Sequence, residues 1–462
     1  MKEYDIIVIG SGCGMIIVEQ ALVHGAKVAL VDKGPRFGGT CLNYGCIPSK
    51  MLIHPADRVM EIRKAKELGI EVKIESVDFD SIMKRMRNTI NKEEKEVREG
   101  IRQLDGLDFY EGEGHFIEDY TIEVRGEKIK GDRIFIASGS RPMVPPIKGL
   151  DKVGYLTNED VLKLKERPES IIIMGGGYIG VEYAHFFEAM GTKVTVVEMA
   201  GRLILSEEPD IATLLLKELG KRMNIVLNAK VVEVNNKGND VVVVAEDTGN
   251  GEKTEFTANK VLVAIGRKSN ADLLKVENTG VELDSRGYIK VNKYYETSKK
   301  NIFAVGDANG QQMFTHAANR EASVAIDNVL HDEKGTIDPN TVPHAVYSYP
   351  QIASVGMTEE NAKKEHKVQV STTRYMETAK GDAMMEKDGF AKIITDEKGD
   401  KILGFQIVGP YAPVLIQEVV NAVASGGHTG EINSGIHIHP SLSELIPATV
   451  NWLYEELLSV RV

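Results

Sequence analysis

Ser170-Ile171-Ile172-Ile173-Met174-Gly175-Gly176-Gly177-Tyr178-Ile179-Gly180 is an unbroken apolar run that gives way to glycines. An apolar run without alternation fits a strand buried on both faces, as in a parallel sheet. Gly175 permits a tight turn, Gly177 lets the backbone come close to a pyrophosphate, and Gly180 lets the next helix pack on the strand. The free N–H groups that open such a helix face the bound anion. A second apolar strand at residues 193–198 ends on Glu198, whose carboxylate is placed to accept both hydroxyls of a ribose. Arg202 could hold a 2′-phosphate instead, but Glu198 would repel one, so NAD is expected over NADP.

The same order of features occurs earlier. Residues 5–25 hold an apolar strand, the turn Gly10-Ser11-Gly12-Cys13-Gly14-Met15 and a helical pattern, and a strand at residues 27–32 ends on Asp32. Each copy is followed much later by an apolar strand running into small residues, at 134–139 and 261–266. Buried strands alternating with helices predict an α/β chain with two Rossmann-type nucleotide-binding domains. In the first loop Met15 occupies the place of the third small residue, which predicts a helix set slightly away from its strand. Cys13 reads as a small packing residue.

At 462 residues the chain is too long for one core, and its formal net charge of −12 disfavours a nucleic-acid partner. No apolar run approaches the roughly 18 residues that a membrane helix needs. The first strand begins almost at once, so no signal or transit segment is expected. Three cysteines do not make a secreted disulfide scaffold, and a cytoplasmic enzyme is expected. Arg141-Pro142-Met143-Val144-Pro145-Pro146 predicts a stiff extended linker. Ile82, Met86, Ile90, Val97, Ile101 and Leu104 keep helical spacing in a charged stretch, which predicts a solvated helix laid on the first domain rather than a coiled coil. The last third differs: residues 389–394 and 401–408 predict a hairpin, and about 412–425 a helix, in a separate α+β domain.

Between the glycine loops lies Gly38-Gly39-Thr40-Cys41-Leu42-Asn43-Tyr44-Gly45-Cys46-Ile47-Pro48-Ser49-Lys50. On a regular helix, positions five apart face different ways, whereas a disulfide needs Cα atoms about 4.4–6.8 Å apart. Gly45 and Pro48 weaken the helix locally, so the spacing suits a reducible pair opening a helix whose dipole stabilises a thiolate. With Cys13 the only other cysteine, a four-thiolate metal site is excluded, and no metal is expected. The plainer reading, two inert core thiols, is outweighed by the two nucleotide loops.

Near the C-terminus, Ile436-His437-Ile438-His439-Pro440-Ser441-Leu442-Ser443-Glu444 places a histidine in extended backbone before proline, with a glutamate in reach of its second ring nitrogen. A general base requires such an arrangement. Spacing alone favours a structural histidine, and it does not choose between His437 and His439.

Taken in order, Gly38-Gly39-Thr40 before the cysteine pair, Lys50 four residues past Cys46, the second glycine loop, Gly306-Asp307 and His439-Pro440 with Glu444 resemble the class I pyridine nucleotide–disulfide oxidoreductase family. The resemblance covers essentially the whole chain. It implies an FAD-binding domain at 1–146, an NAD-binding domain at 147–267, a return to the FAD-binding or central domain at 268–337, and a dimerisation domain at 338–462. It implies FAD held by Gly10, Gly12, Asp32, Thr40, Lys50, His115, Asp307 and Thr315, and NAD(H) held by Gly177, Tyr178, Ile179, Glu198 and Gly266. Cys46 becomes the thiolate beside the flavin and Cys41 the thiol that exchanges with substrate. Lys50 is implied to pair with Glu182, and Tyr178 to cover the flavin until the nicotinamide displaces it. The resemblance selects His439, with Glu444, as a base serving the cysteines of the other subunit, hence a homodimer with shared active sites.

Within the family, Val196-Val197-Glu198-Met199 and the run after Asp307, Gly310-Gln311-Gln312-Met313-Phe314-Thr315-His316, are similar to the dihydrolipoyl dehydrogenases. The loop from Gly12 to Met15 looks more like that of the mycothione reductases. The expected substrate is therefore a small dithiol or disulfide, with dihydrolipoamide (free or on a lipoyl domain) first and another low-molecular-weight disulfide second. A flavin-binding partner protein with a structural disulfide is the third reading.

Overall fold

Ile6, Ile7, Val8 and Ile9 are all buried, so the strand Lys2–Ile9 has to lie inside a sheet. In the computed structural model, which describes residues 1–451, it pairs in parallel with Val28–Asp32 on one edge and Glu127–Ile136 on the other. Leu107–Glu111 extends the sheet beyond Val28–Asp32, also in parallel. The long strand Glu127–Ile136 divides its outer edge between two partners. Its first half takes the antiparallel pair Thr121–Val124 and Gly114–Glu118, and its second half takes Ile302–Ala304 in parallel. Ile9 pairs with both Val31 and Ile136, and Ile136 with Ala304, so these strands end level. Gly10, Ala137 and Val305 therefore leave the sheet together, beside Asp32 at the end of its strand, at the carboxyl edge where such sheets bind ligands.

This sheet belongs to one of two compact units, made of Met1–Met51, Met83–Met143 and Gly266–Ile337. Helices Gly14–Val23 and Thr315–Leu330 cover one face and bury Ile17, Val18, Ala21, Ala322 and Ala325 in a common core. A Cβ on Gly14 would stand 2.8 Å from Val8 Cγ1 and 3.2 Å from Ala137 Cβ. The close helix–strand contact is thus made one residue before Met15, which packs half-buried on the same core. The expected displacement of this helix is corrected: Gly14 supplies the missing small residue.

The second unit comprises Leu52–Ile82, Val144–Ile265 and the chain from Asp338 on. Its parallel sheet runs Asn224–Val226, Lys193–Val197, Ser170–Met174, Lys260–Val263, and the helix Tyr178–Ala189 follows the second glycine loop. An antiparallel sheet of Ala229–Lys237, Asp240–Asp247 and Lys253–Ala258 shares its core. The C-terminal part is a five-stranded antiparallel sheet with helix Ala412–Ala424 packed on it. The predicted hairpin is there as Phe390–Asp396 and Ile402–Val408. The architecture is α/β, with two Rossmann-type domains and a C-terminal α+β domain.

Two other expectations gain detail. Arg141 and Pro142, which open the expected stiff extended linker, lie with Ser140 in a strand that pairs antiparallel with Arg267–Ser269, so outgoing and returning chain form a ribbon. The charged helix spans Phe79–Gln103 and buries Met83, Met86, Ile90 and Ile101, with Met83 rather than Ile82 turned fully inward.

Because Gly14 has no room for a side chain, Gly14→Ala should lower stability by about 1–3 kcal/mol, the usual penalty of overpacking. Calorimetric unfolding of the purified protein checks this, and an unchanged transition would contradict the packing role of Gly14.

Candidate active site

Cys41 and Cys46 are held on two consecutive turns. Cys41 lies in the short helix Gly39–Asn43, which ends at Tyr44, and Cys46 opens the helix Cys46–Lys64. The break falls at Tyr44 and Gly45, where a Cβ on Gly45 would stand 3.1 Å from the Thr40 carbonyl oxygen. Pro48 does not weaken the helix as expected. It falls in the first turn, where a missing N–H leaves no intrahelical bond unmade. Gly38 N donates to Ser11 Oγ at 2.9 Å, and a Cβ on Gly39 would stand 2.7 Å from Gly12 Cα. The two glycines before the cysteines thus bring this segment onto the first nucleotide loop.

Both cysteines stand as free thiols, and they are electrostatically unequal. The Cys41 thiol as hydrogen-bond donor is the largest influence holding Cys46 down to about 6; against the opposing effect of burial, Thr315 and Lys50 add to it. Cys46 Sγ lies 3.3 Å from Thr315 Oγ1, and Thr315 opens the helix Thr315–Leu330, so two helix starts converge on one sulfur. The bond to Cys46, then burial, push the Cys41 thiol well above its ordinary range. The shared proton therefore sits on Cys41 and the negative charge on Cys46. Burial pushes the Cys13 thiol up to about 12, which suits its expected packing role.

At the carboxyl edge of the first sheet, Gly10 has φ +106, and a Cβ there would meet the Ala137 carbonyl oxygen at 2.3 Å. Asp32 accepts from Ser11 N at 2.8 Å and from Gly34 N at 3.0 Å. Thr40 is in the helix that carries Cys41, and His115 follows Gly114, which packs on Val31 beside Asp32. Asp307 accepts from Ser140 Oγ and lies 3.5 Å from Arg267 Nε. Its turn is held from below by Glu321, whose Oε2 accepts from Gly306 N at 2.7 Å and Asn309 Nδ2 at 2.8 Å. Ser140, Arg267 and Glu321 escaped the sequence reading. The first two stand just after the small-residue turns at 139 and 266, a signal the repeat made available.

In the second unit, a Cβ on Gly175 would meet the Ala264 carbonyl oxygen at 2.4 Å, while one on Gly177 would meet nothing within 4 Å. Glu198 accepts from Gly176 N at 2.6 Å and from Ala200 N at 2.7 Å. Arg202 donates instead to the Leu205 carbonyl at 2.8 Å. Tyr178 and Ile179 begin the helix, and Glu182, 8% exposed, accepts from Tyr347 N at 3.0 Å. Gly266 stands at φ +139 beside Met143, in the first unit, as does Lys50. Of the two histidines, His437 is 16% exposed and bonded to Glu418, whereas His439 is 71% exposed with Nδ1 2.8 Å from Glu444 Oε1. Glu444 also accepts from Ser441 N, which together with His439 holds its carboxyl below the ordinary range. With Glu444 on Nδ1, the basic nitrogen of His439 is the outward Nε2.

Residues 4–322 match the family described as pyridine nucleotide-disulphide oxidoreductase, and residues 342–450 match its dimerisation domain. The chain belongs to that family. It is 34% identical to a dihydrolipoyl dehydrogenase of Bacillus subtilis, with 96% of each chain covered. It is also 34% identical to a mycothione reductase of Mycobacterium tuberculosis, over 96% of this chain and 98% of the other. Among solved structures it is similar to RclA, an HOCl-induced flavoprotein disulfide reductase of Escherichia coli, with a TM-score of 0.85, 30% identity, and 97% and 99% of the two chains covered.

This pyridine nucleotide-disulphide oxidoreductase takes FAD and NAD(H), and its residues fit both. The first glycine cradle has no room for a Cβ at Gly10, and Ser138 Oγ beside it is buried without a partner among the described residues. The second cradle is open above Gly177, at the start of a helix, with Glu198 behind it. Among the described residues, no helix is long and apolar enough to cross a membrane.

The dithiol protein should show one thiolate titrating near pH 6. Ultraviolet thiolate absorbance against pH should lose this step in Cys46→Ser, and Thr315→Val or Lys50→Met should move it to higher pH. A single step near the ordinary thiol range would refute the asymmetry.

Burial pushes the Glu321 carboxyl up to about 7 from an ordinary 4.5. Since the folded state holds this proton more tightly, stability from it is present below the unfolded value and lost as the pH rises toward 7. Melting temperatures across that window should fall less steeply in Glu321→Gln than in the native protein, and parallel profiles would exclude the effect.

Proposed function

We propose that the chain is an NAD-linked, FAD-dependent oxidoreductase of the dihydrolipoyl dehydrogenase type, acting as a homodimer. In it, His439 and Glu444 of one subunit serve Cys41 and Cys46 of the other. The observation that carries this reading is the unequal cysteine pair: one sulfur stabilised as an anion by the Cys41 thiol, then by Thr315 and Lys50, the other retaining its proton. Inert core thiols would have no use for that asymmetry.

The chemistry FAD supplies when bound is two-electron exchange between the cysteine pair and the nicotinamide. In the oxidative direction, His439 Nε2 takes a proton from one substrate thiol. The resulting thiolate attacks Cys41 Sγ, the Cys41–Cys46 bond breaks, and Cys46 leaves as the stabilised thiolate. The second substrate sulfur then displaces Cys41, closing the substrate disulfide, and its proton ends on Cys41. The substrate dithiol is oxidised, the cysteine pair is reduced, and one proton remains on His439. A disulfide substrate is reduced by the same steps in reverse.

Two features support NAD over NADP: Glu198 is fixed by two backbone N–H groups, and Arg202 is engaged by Leu205. A 2′-phosphate against Glu198 should cost on the order of 100-fold in kcat/KM, which follows from like-charge repulsion of a few kcal/mol. Rates with NAD(H) and NADP(H) against lipoamide, mycothiol disulfide, glutathione disulfide and coenzyme A disulfide test the assignment. A clear lead for lipoamide supports it. A lead for mycothiol disulfide would favour the second reading, which rests on the Gly12 to Met15 loop and on equal identity to a mycothione reductase.

Shared sites make a separate prediction. Cys46→Ser and His439→Ala homodimers should each be nearly inactive, since a general base typically contributes about 10²–10⁴-fold. The purified heterodimer of the two should regain roughly half the native rate if sites act independently. A silent heterodimer that retains its flavin would place base and cysteines in the same chain.

A further inference from the structure

Tyr178 is the first residue of the helix Tyr178–Ala189 and directly follows Gly177, so its ring borders the path of a dinucleotide bound at that helix start. Its hydroxyl donates to Glu207 Oε1 at 2.8 Å and lies 2.7 Å from Ser206 Oγ. Glu207 is 1% exposed, and its carboxylate is also met by His344 Nε2 at 2.7 Å and Ser354 Oγ at 2.6 Å. The rings of Tyr178 and His344 stack at 5.9 Å. His344 and Ser354 are register partners on the strands His344–Val346 and Ile352–Gly356 of the C-terminal sheet. Burial alone would raise the Glu207 carboxyl, but the bonds from His344, Ser354 and Tyr178 outweigh it and hold it below its ordinary range. The carboxylate is therefore charged, buried and fixed by a strand pair, and the Tyr178 hydroxyl is one of the donors that meet it.

We propose that Glu207, fixed by His344 and Ser354, is a positioning residue that latches Tyr178 and so sets the affinity of the site for the nicotinamide half of NAD(H). The proposal rests on the reading of residues 175–180 and Glu198 as the NAD site. A nicotinamide that lies past the pyrophosphate, on the side of Tyr178, has to turn the phenol away, which breaks a charge-assisted bond in a desolvated setting. Such bonds are roughly twice as strong as neutral ones. Nothing in the dinucleotide motif calls for Glu207, His344 or Ser354, so the latch is a property of the C-terminal sheet imposed on the nucleotide domain.

The test is calorimetric titration of NADH into the FAD-loaded protein, with KM and kcat measured alongside. Tyr178→Phe keeps the ring and removes the latch bond, so NADH should bind about 10-fold tighter, as expected for losing one hydrogen bond to a charged group. Glu207→Gln leaves a neutral acceptor and should tighten binding less, and the double variant should match Tyr178→Phe alone. Should Glu207→Gln fail to fold, Ser354→Ala, which frees the carboxylate on one side, replaces it with the same expected direction. Unchanged NADH affinity in Tyr178→Phe, or additive effects in the double variant, would overturn the latch. Gly177→Val has open space for its side chain and separates the two readings. If it weakens NADH binding while Tyr178→Phe has no effect, the latch falls alone. If it leaves NADH binding intact, the site assignment falls and the latch with it.

Discussion

A parallel strand cannot return to its neighbour through a tight turn, so the strands Lys2–Ile9 and Ser170–Met174 each hand the chain to a crossover that begins at the carboxyl edge. The first residues of the following helices carry N–H groups with no partner inside the helix. Level strand ends concentrate these donors along one line. Ile9, Val31, Ile136 and Ala304 end together, and Gly10, Asp32, Ser138 and Asp307 follow them. The second unit does the same with Met174 and Val197, from which Gly175 and Glu198 emerge. Acceptors on a ligand, and the acidic residues closing the second strands, complete what the backbone leaves open.

The redox pair uses the same principle without a glycine loop of its own. Cys46 takes the first position of one helix and faces the first residue of another, so its thiolate replaces the anion that a phosphate provides elsewhere. Gly38 and Gly39 make this possible, because only bare backbone permits Gly39 to approach Gly12 Cα so closely. The cysteine segment and the first nucleotide loop therefore cannot be repositioned independently. Below the edge, Glu321 ties the Gly306–Ala308 turn through a buried carboxyl, and its charged form becomes populated as the pH rises toward 7.

Much of this was legible in the residues. Continuous apolar runs ending in glycines identified both parallel sheets, and an acid stands at the end of each second strand, where the sequence expects the ribose. The order of Cys41, Cys46, Lys50, Asp307 and His439 carried the resemblance to the family, which the match over residues 4–322 and 342–450 shows. The misreadings were local. Met15 suggested a displaced helix because a motif counts positions, whereas packing needs only some small residue facing the strand, and Gly14 is that residue. Pro48 suggests local weakening of the helix, but in the first turn its missing N–H leaves no intrahelical bond unmade.

Periodicity, glycine placement and motif order belong to the sequence, because they depend on neighbours a few residues apart. Partners far apart in the chain do not. The bonds from Ser140 and Arg267 to Asp307 and from Glu321 to Gly306, and the cluster of Tyr178, Glu207, His344 and Ser354, join residues that share no local pattern. Spacing likewise does not choose between His437 and His439: the fold brings Glu418 to His437 and leaves it 16% exposed, whereas His439, beside its near neighbour Glu444, is 71% exposed. Buried charge decides such sites: a carboxylate removed from water must find donors wherever the packed chain supplies them, and only tertiary structure says which those are.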